Sequence, residues 1–209
     1  MKIKVCGMTQ IKQVEALEKM GVHYAGFIFY SKSPRYVLAH LSKSDIKKIG
    51  GNIKKVGVFV NEPLDSLLEI IDSAGLDIVQ LHGDETPEYC STVRKKVKVV
   101  KAFQVKSLDG LLENIRQYDA FVDMFLFDTP SIQYGGTGEK FDWNTIKDIL
   151  VGKPFFLSGG ISPDDFEQIE KFGLLPIAND LDALDLNSRF EKSPGIKDLE
   201  LLESFFNKL

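Results

Sequence analysis

The chain has 209 residues, of which 44% are hydrophobic and 27% charged, a balance that suits a globular protein with one sizeable core. Its formal net charge is −4, and no basic run exceeds short pairs such as Lys95-Lys96, which argues against nucleic acid as a ligand. Lys2 and Lys4 precede an apolar stretch too short for a signal peptide, and no apolar run approaches the roughly 20 residues that span a bilayer. Cys6 and Cys90 lie far apart and form no metal-ligand pattern, so no metal is expected and a reduced, cytoplasmic setting is the economical reading.

The first apolar run, KIKVC (2–6), reads as a buried strand. The segment TQIKQVEALEKMG follows as a helix, with Thr9 as its cap and Ile11, Val14, Ala16 and Leu17 on its buried side. YAGFIF (24–29) and KKVGVFV (54–60) are the next strands. In NEPLDSLLEIIDSAG, Asn61 is placed to cap, Pro63 falls in the first turn, Leu64, Leu67, Leu68 and Ile71 form one face, and Gly75 stops the helix. DIVQLH (77–82), KVVKAFQV (98–105), MFLFDT (124–129) and PFFLSG (154–159) continue the strand series. SPDDFEQIEKFG repeats the helix design, with Ser162 and Asp165 at capping-box spacing and Gly173 as terminator. ALDLN (183–187) is a polar eighth strand, supported partly by spacing, and LELLESFFNKL closes the chain as an apolar helix. Strand 1 at one end and this helix at the other suggest a complete single domain over 1–209.

Seven runs rich in Val, Ile, Leu and Phe suit strands buried on both faces. Eight strands alternating with helices at roughly 20–30-residue spacing predict an α/β fold, a single-domain (β/α)8 TIM barrel. A doubly wound open sheet is the rival, but CGMTQ follows the first strand in place of a glycine-rich nucleotide loop.

Barrel active sites lie at the C-terminal ends of strands. That rule selects Cys6, Arg35 in YSKSPRY, His82, Asp128, the SGG turn with Gly159 and Gly160, and Asn187-Ser188. Glycine turns at this rim suit a phosphate, because free N–H groups cradle an anion. The same pair of glycines also serves as a plain turn. A cysteine and an aspartate suffice for acid–base chemistry without a cofactor. Taken alone, Cys6 reads as core packing and Asp128 as a turn former, and composition does not separate these readings.

The motifs KVCGMT, GFIFYSKSPRYV, VGVFVN, VQLHGDE, LFDT, GGTGEKFDW, LSGGI and LDLNSRFEKSPGIKD run in order along nearly the whole chain. In combination they resemble the phosphoribosylanthranilate isomerase family of tryptophan biosynthesis. The resemblance implies a (β/α)8 barrel and a cofactor-free Amadori rearrangement of N-(5-phosphoribosyl)anthranilate to 1-(2-carboxyphenylamino)-1-deoxyribulose 5-phosphate. It implies Cys6 as general base, Asp128 as general acid, Arg35 facing the anthranilate carboxylate, and Gly159, Gly160, Asn187 and Ser188 around the phosphate. His82 stays outside the catalytic set, reading equally as a loop-orienting residue, a ligand contact or a satisfied histidine. IQYGGTGEKFDW reads as a loop after strand 6 leading into a helix, its glycines allowing closure over substrate.

Arg189 stands where family members commonly carry glycine, and would be strained there if that position needs positive φ. Two other functions compete with this reading. A histidine-pathway or two-substrate phosphosugar isomerase resembles paired half-barrels with an aspartate ending strand 1, where this chain has Cys6. A barrel that only binds a phosphorylated ligand has no need of Cys6, Asp128 and Arg35 together. The expected partner is a small phosphorylated substrate, with neither nucleic acid nor membrane. The oligomeric state is left open, a monomer being slightly favoured.

Overall fold

The computed structural model describes residues 1–129 and 142–209. Eight parallel strands close into a barrel in chain order: β1 (Lys2–Val5), β2 (Tyr24–Ile28), β3 (Lys54–Phe59), β4 (Ile78–Leu81), β5 (Lys98–Gln104), β6 (Met124–Asp128), β7 (Phe155–Leu157) and β8 (Leu181–Leu186). β8 pairs with β1 in register Lys2↔Ala183 through Val5↔Leu186, so the sheet has no free edge. The helices are α1 (Ile11–Lys19), α2 (Lys43–Lys48), α3 (Leu64–Ala74), α4 (Pro87–Arg94), α5 (Leu108–Tyr118), α6 (Phe166–Gly173) and α7 (Leu199–Phe206). Between β6 and β7 the described residues hold a short 3-10 turn, Trp143–Ile146, where the sequence suggested the start of a helix. The loop expected at 132–141 lies outside the described residues.

A period of two along each strand sorts the side chains. Tyr24, Val56, Ile78, Val100, Ala102, Met124, Leu126, Phe156 and Ala183, buried in one cluster, fill the barrel interior. The alternate residues, such as Val5, Phe27, Phe59, Val79, Phe125 and Leu184, belong to a larger cluster shared with the helices. Both faces are thus buried, which is why these strands read as continuous apolar runs. At the lower end of the barrel Asp182 accepts from Lys2 Nζ and Tyr24 Oη, both at 2.6 Å.

Several helix ends differ from their sequence reading. Gln10, not Thr9, precedes α1, and the Thr9 hydroxyl instead donates to the Gly195 carbonyl at 2.6 Å. Ile11 and Ala16 are only half-buried, whereas Gln13 is buried and bonds the Lys197 backbone. Pro63 occupies the cap position of α3, while Asn61 sits at φ 51° and ties the β3–α3 turn to Asp84 and Glu85. A long-range bond outcompeted the local cap in both cases. Gly75 ends α3 in the left-handed conformation, as its position predicts. Ser162 and Asp165 form the expected capping box, on a 3-10 turn that leads into α6. A hairpin the sequence did not reveal, β9 (Glu191–Ser193) with β10 (Ile196–Lys197), follows β8.

Candidate active site

The period of two carries past the strand ends. On β1, the inward positions are Lys4 and then Cys6; on β4, Gln80 and His82; on β6, Asp128; on β7, Ser158 and Gly160; on β8, Asp185 and Asn187. Cys6, Gln80, His82, Asp128, Ser158, Gly160, Asp185, Asn187 and Ser188 line one cavity at the C-terminal mouth, closed on its apolar side by Ile28, Val58, Val60 and Ile161. Cys6 is anchored by its backbone N–H to the Leu186 carbonyl at 2.8 Å. Its side chain lies over Gly26 of β2, where a Cβ would come within 2.8 Å of Sγ.

Asp128 and His82 form a pair, His82 Nε2 lying 3.3 Å from Asp128 Oδ2. His82 Nδ1 lies 3.0 Å from Gln80 Nε2. With the Gln80 amide assigned as donor, Nδ1 accepts and the ring proton sits on Nε2, facing the carboxylate. The Thr129 N–H donates to Asp128 Oδ1 at 2.8 Å. Burial alone raises the Asp128 carboxyl, but the His82 contact, the Thr129 N–H and Ser158 outweigh it, and the group rests below the ordinary carboxylate range. Cys6 goes the other way: burial pushes the thiol up, against the charge of Lys4. These directions favour a proton on Cys6 and an ionised Asp128.

Arg35 is buried and does not line this cavity. Its Nε donates to both Glu191 carboxylate oxygens at 3.0 Å, and Nη2 donates to Oε2 at 2.7 Å. The Arg35 stem packs on Gly7, whose φ of 79° and missing Cβ let the two chains meet. Glu191 also accepts from Lys197 Nζ at 2.7 Å, and Lys197 reaches Asn187 Oδ1 at 2.9 Å. An Arg35–Glu191–Lys197–Asn187 chain therefore ties the loop after β2 to the loop after β8.

Gly159 and Gly160 turn at φ 99° and 69°, conformations that favour glycine. Gly160 lines the cavity; Gly159 is buried behind it. Asn187 and Ser188 face them from the end of β8. Arg189 lies in a 3-10 turn, and among the described residues Asn61 is the one non-glycine at positive φ, so no backbone strain falls on Arg189.

The structure thus brings Cys6, Asp128, Gly160, Asn187 and Ser188 to one cavity and places Arg35 against Glu191. Sequence reasoning passed over Gln80, Asp185, Glu191 and Lys197 and set His82 aside. Counting back by twos from His82 and Asn187 reaches Gln80 and Asp185; the hairpin pair Glu191–Lys197 carries no such signal.

The family model described as N-(5′-phosphoribosyl)anthranilate (PRA) isomerase matches residues 3–208. The chain belongs to this isomerase family. Over 213 residues it is 38% identical to the N-(5′-phosphoribosyl)anthranilate isomerase of Parabacteroides distasonis, covering 100% of this chain and 93% of that protein. The crystal structure of the Thermus thermophilus phosphoribosyl anthranilate isomerase superposes with a TM-score of 0.84 at 28% identity, covering 100% of this chain and 98% of the other. A phosphoribosyl anthranilate isomerase solved with reduced 1-(o-carboxyphenylamino)-1-deoxyribulose 5-phosphate matches at a TM-score of 0.80 and 28% identity, over 99% of this chain and 97% of that one. The chain is a PRA isomerase of tryptophan biosynthesis, an intramolecular oxidoreductase of the aldose–ketose type. Among the described residues no helix is long and apolar enough to cross a membrane.

Proposed function

We propose that Cys6 and Asp128 are the base and acid of the isomerisation, working from opposite sides of one cavity. The observation that carries this reading is their shared lining of the barrel mouth, one thiol and one histidine-bonded carboxyl, with a glycine turn beside them. Asp128, once protonated, gives its proton to the ribose ring oxygen as the anthranilate nitrogen lone pair opens the ring to a Schiff base. Cys6, as thiolate, removes the C2′ proton, and the resulting enolamine tautomerises to the ketone.

The resting proton distribution is the reverse of that starting state, and substrate supplies the correction. Its phosphate and carboxylate bring negative charge into the cavity and raise the proton affinity of Asp128. The positive Schiff base that follows favours the Cys6 thiolate. His82 Nε2–H, bonded to Asp128, orients the carboxyl.

The phosphate fits the turns at Gly159, Gly160, Asn187 and Ser188, where glycine lets backbone approach an anion. Arg35 serves the anthranilate carboxylate as a charge fixed beside Gly7, one residue from Cys6. Residues 1–209 act as one domain in this reading, a monomer suffices for the site, and free, buried Cys6 and Cys90 accord with a cytoplasmic setting.

The test is alkylation of a Cys90→Ala enzyme with iodoacetamide. Stoichiometric modification of Cys6 is expected to abolish turnover, and the reduced product is expected to protect. Full turnover after complete modification overturns the assignment of Cys6.

A further inference from the structure

Beneath Cys6, inside the barrel, lies an ion pair with no solvent contact on its cationic side. Lys4, fully buried, sits two residues before Cys6 on β1 and therefore one layer lower on the same inward face. Its Nζ donates to Asp185 Oδ2 at 2.7 Å and stands 6.0 Å over the Phe156 ring. Its charge favours the thiolate of Cys6, against the burial that pushes the thiol up. The other carboxylate oxygen, Asp185 Oδ1, is buried with no hydrogen-bond partner among the described residues, although Asp185 lines the cavity.

A lysine here is an odd choice for packing. Apart from Asp185 and Gln80, the buried interior positions are mostly apolar and aromatic. Isolated charges in such surroundings are strongly disfavoured, and a buried pair commonly stabilises less than apolar residues of the same volume. A buried pair kept directly under a nucleophilic thiol has another use. We infer that the Lys4 ammonium is the positioning charge for Cys6: it steadies the thiolate during C2′ proton removal, while Asp185 holds Lys4 charged and in place.

The surroundings of Cys6 fit that division. β2 presents Gly26, which has no side chain. β8 contributes Asp185, which disfavours the thiolate, and β10 contributes Lys197, which favours it less than Lys4 does. Lys197 is held by Glu191 and lies near Arg35, while Asp128 on β6 and His82 after β4 act on Asp185. Lys4 is therefore the largest positive influence on the thiol, and Asp185 opposes it. The two members of the pair act on Cys6 with opposite sign.

That opposition gives the test, and it rests on the reading of Cys6 as the base. In a Cys90→Ala background, the Cys6 alkylation rate at pH 8 reports the thiolate fraction, and each unit by which the thiol rises slows it about tenfold. Lys4→Met is expected to slow alkylation and kcat by about tenfold or more, with KM little changed. Because Lys4→Met strands Asp185 and Asp185→Asn leaves the ammonium unheld, the decisive comparison is Lys4→Met/Asp185→Asn against wild type, which removes the pair whole. Since Lys4 outweighs Asp185 at the thiol, the double variant should alkylate several-fold more slowly than wild type, with the fold confirmed by circular dichroism. Equal or faster alkylation in the folded double variant overturns the proposal, as does wild-type alkylation in Lys4→Met. Undiminished turnover of Cys6→Ser would remove the catalytic reading instead, leaving the alkylation comparison to stand or fall alone.

Discussion

Gly26 sets the room available to the reacting thiol, and Gly26→Ala tests that directly. A Cβ built at position 26 stands 2.8 Å from Cys6 Sγ, 3.0 Å from its Cα and 3.2 Å from its Cβ. Carbon and sulfur in ordinary contact keep about 3.5–4 Å, so Sγ must retreat by roughly 1 Å. The Cys6 backbone gives little, because its N–H is bonded to the Leu186 carbonyl and Val5 before it pairs with both β2 and β8. Overpacking of this kind costs about 1–3 kcal/mol of stability, and in a domain of this size each kcal/mol lowers Tm by about 2–4 °C. The catalytic effect should be larger, since a 1 Å misplacement costs about a hundredfold in rate. Steady-state kinetics with a thermal melt on the same preparation separate the two. A Gly26→Ala enzyme with wild-type kcat refutes the placement of Cys6 against β2.

Glu191→Gln strands two buried cations, Arg35 and Lys197, and should cost about 3–5 kcal/mol; it should also raise KM as Arg35 loses its anchor, both read by denaturant titration and kinetics. His82→Ala removes the largest contact that holds Asp128 low, so the carboxyl titration followed by NMR should move upward from its wild-type midpoint; an unchanged midpoint would deny His82 that role. Stability against pH carries two signs. Asp128, depressed on folding, contributes stability above the ordinary carboxylate pKa that is lost as pH falls through its lowered value. Cys6, raised on folding from 9.0, contributes stability in full below that value that is lost as pH rises through its higher one. Urea midpoints of Asp128→Asn and Cys6→Ser should accordingly flatten the acid and the alkaline limb, respectively.

The strands were legible because both faces are buried: runs such as KKVGVFV and MFLFDT match β3 and β6 to within a residue at each end. Even the polar eighth strand formed, longer than its reading, because Asp185 points inward to the buried Lys4 and Asp182 pairs with Lys2 at the barrel's lower rim. Those pairs join residues about 180 positions apart, a separation at which local pattern is silent. The caps expected of Thr9 and Asn61 failed for the same reason, each side chain being claimed by a distant loop. Arg35 shows the limit for the site. Its residue type announced a carboxylate partner, but the partner the fold supplies is Glu191, from a hairpin too short to leave a periodic signal.

The acid–base pair is tested most directly by turnover of freshly generated phosphoribosylanthranilate by wild type, Cys6→Ser and Asp128→Asn. The account predicts robust wild-type isomerisation and a loss of about 100- to 10,000-fold in each variant, with circular dichroism and Tm showing an intact fold. Either folded variant turning over within a few-fold of wild type would contradict it.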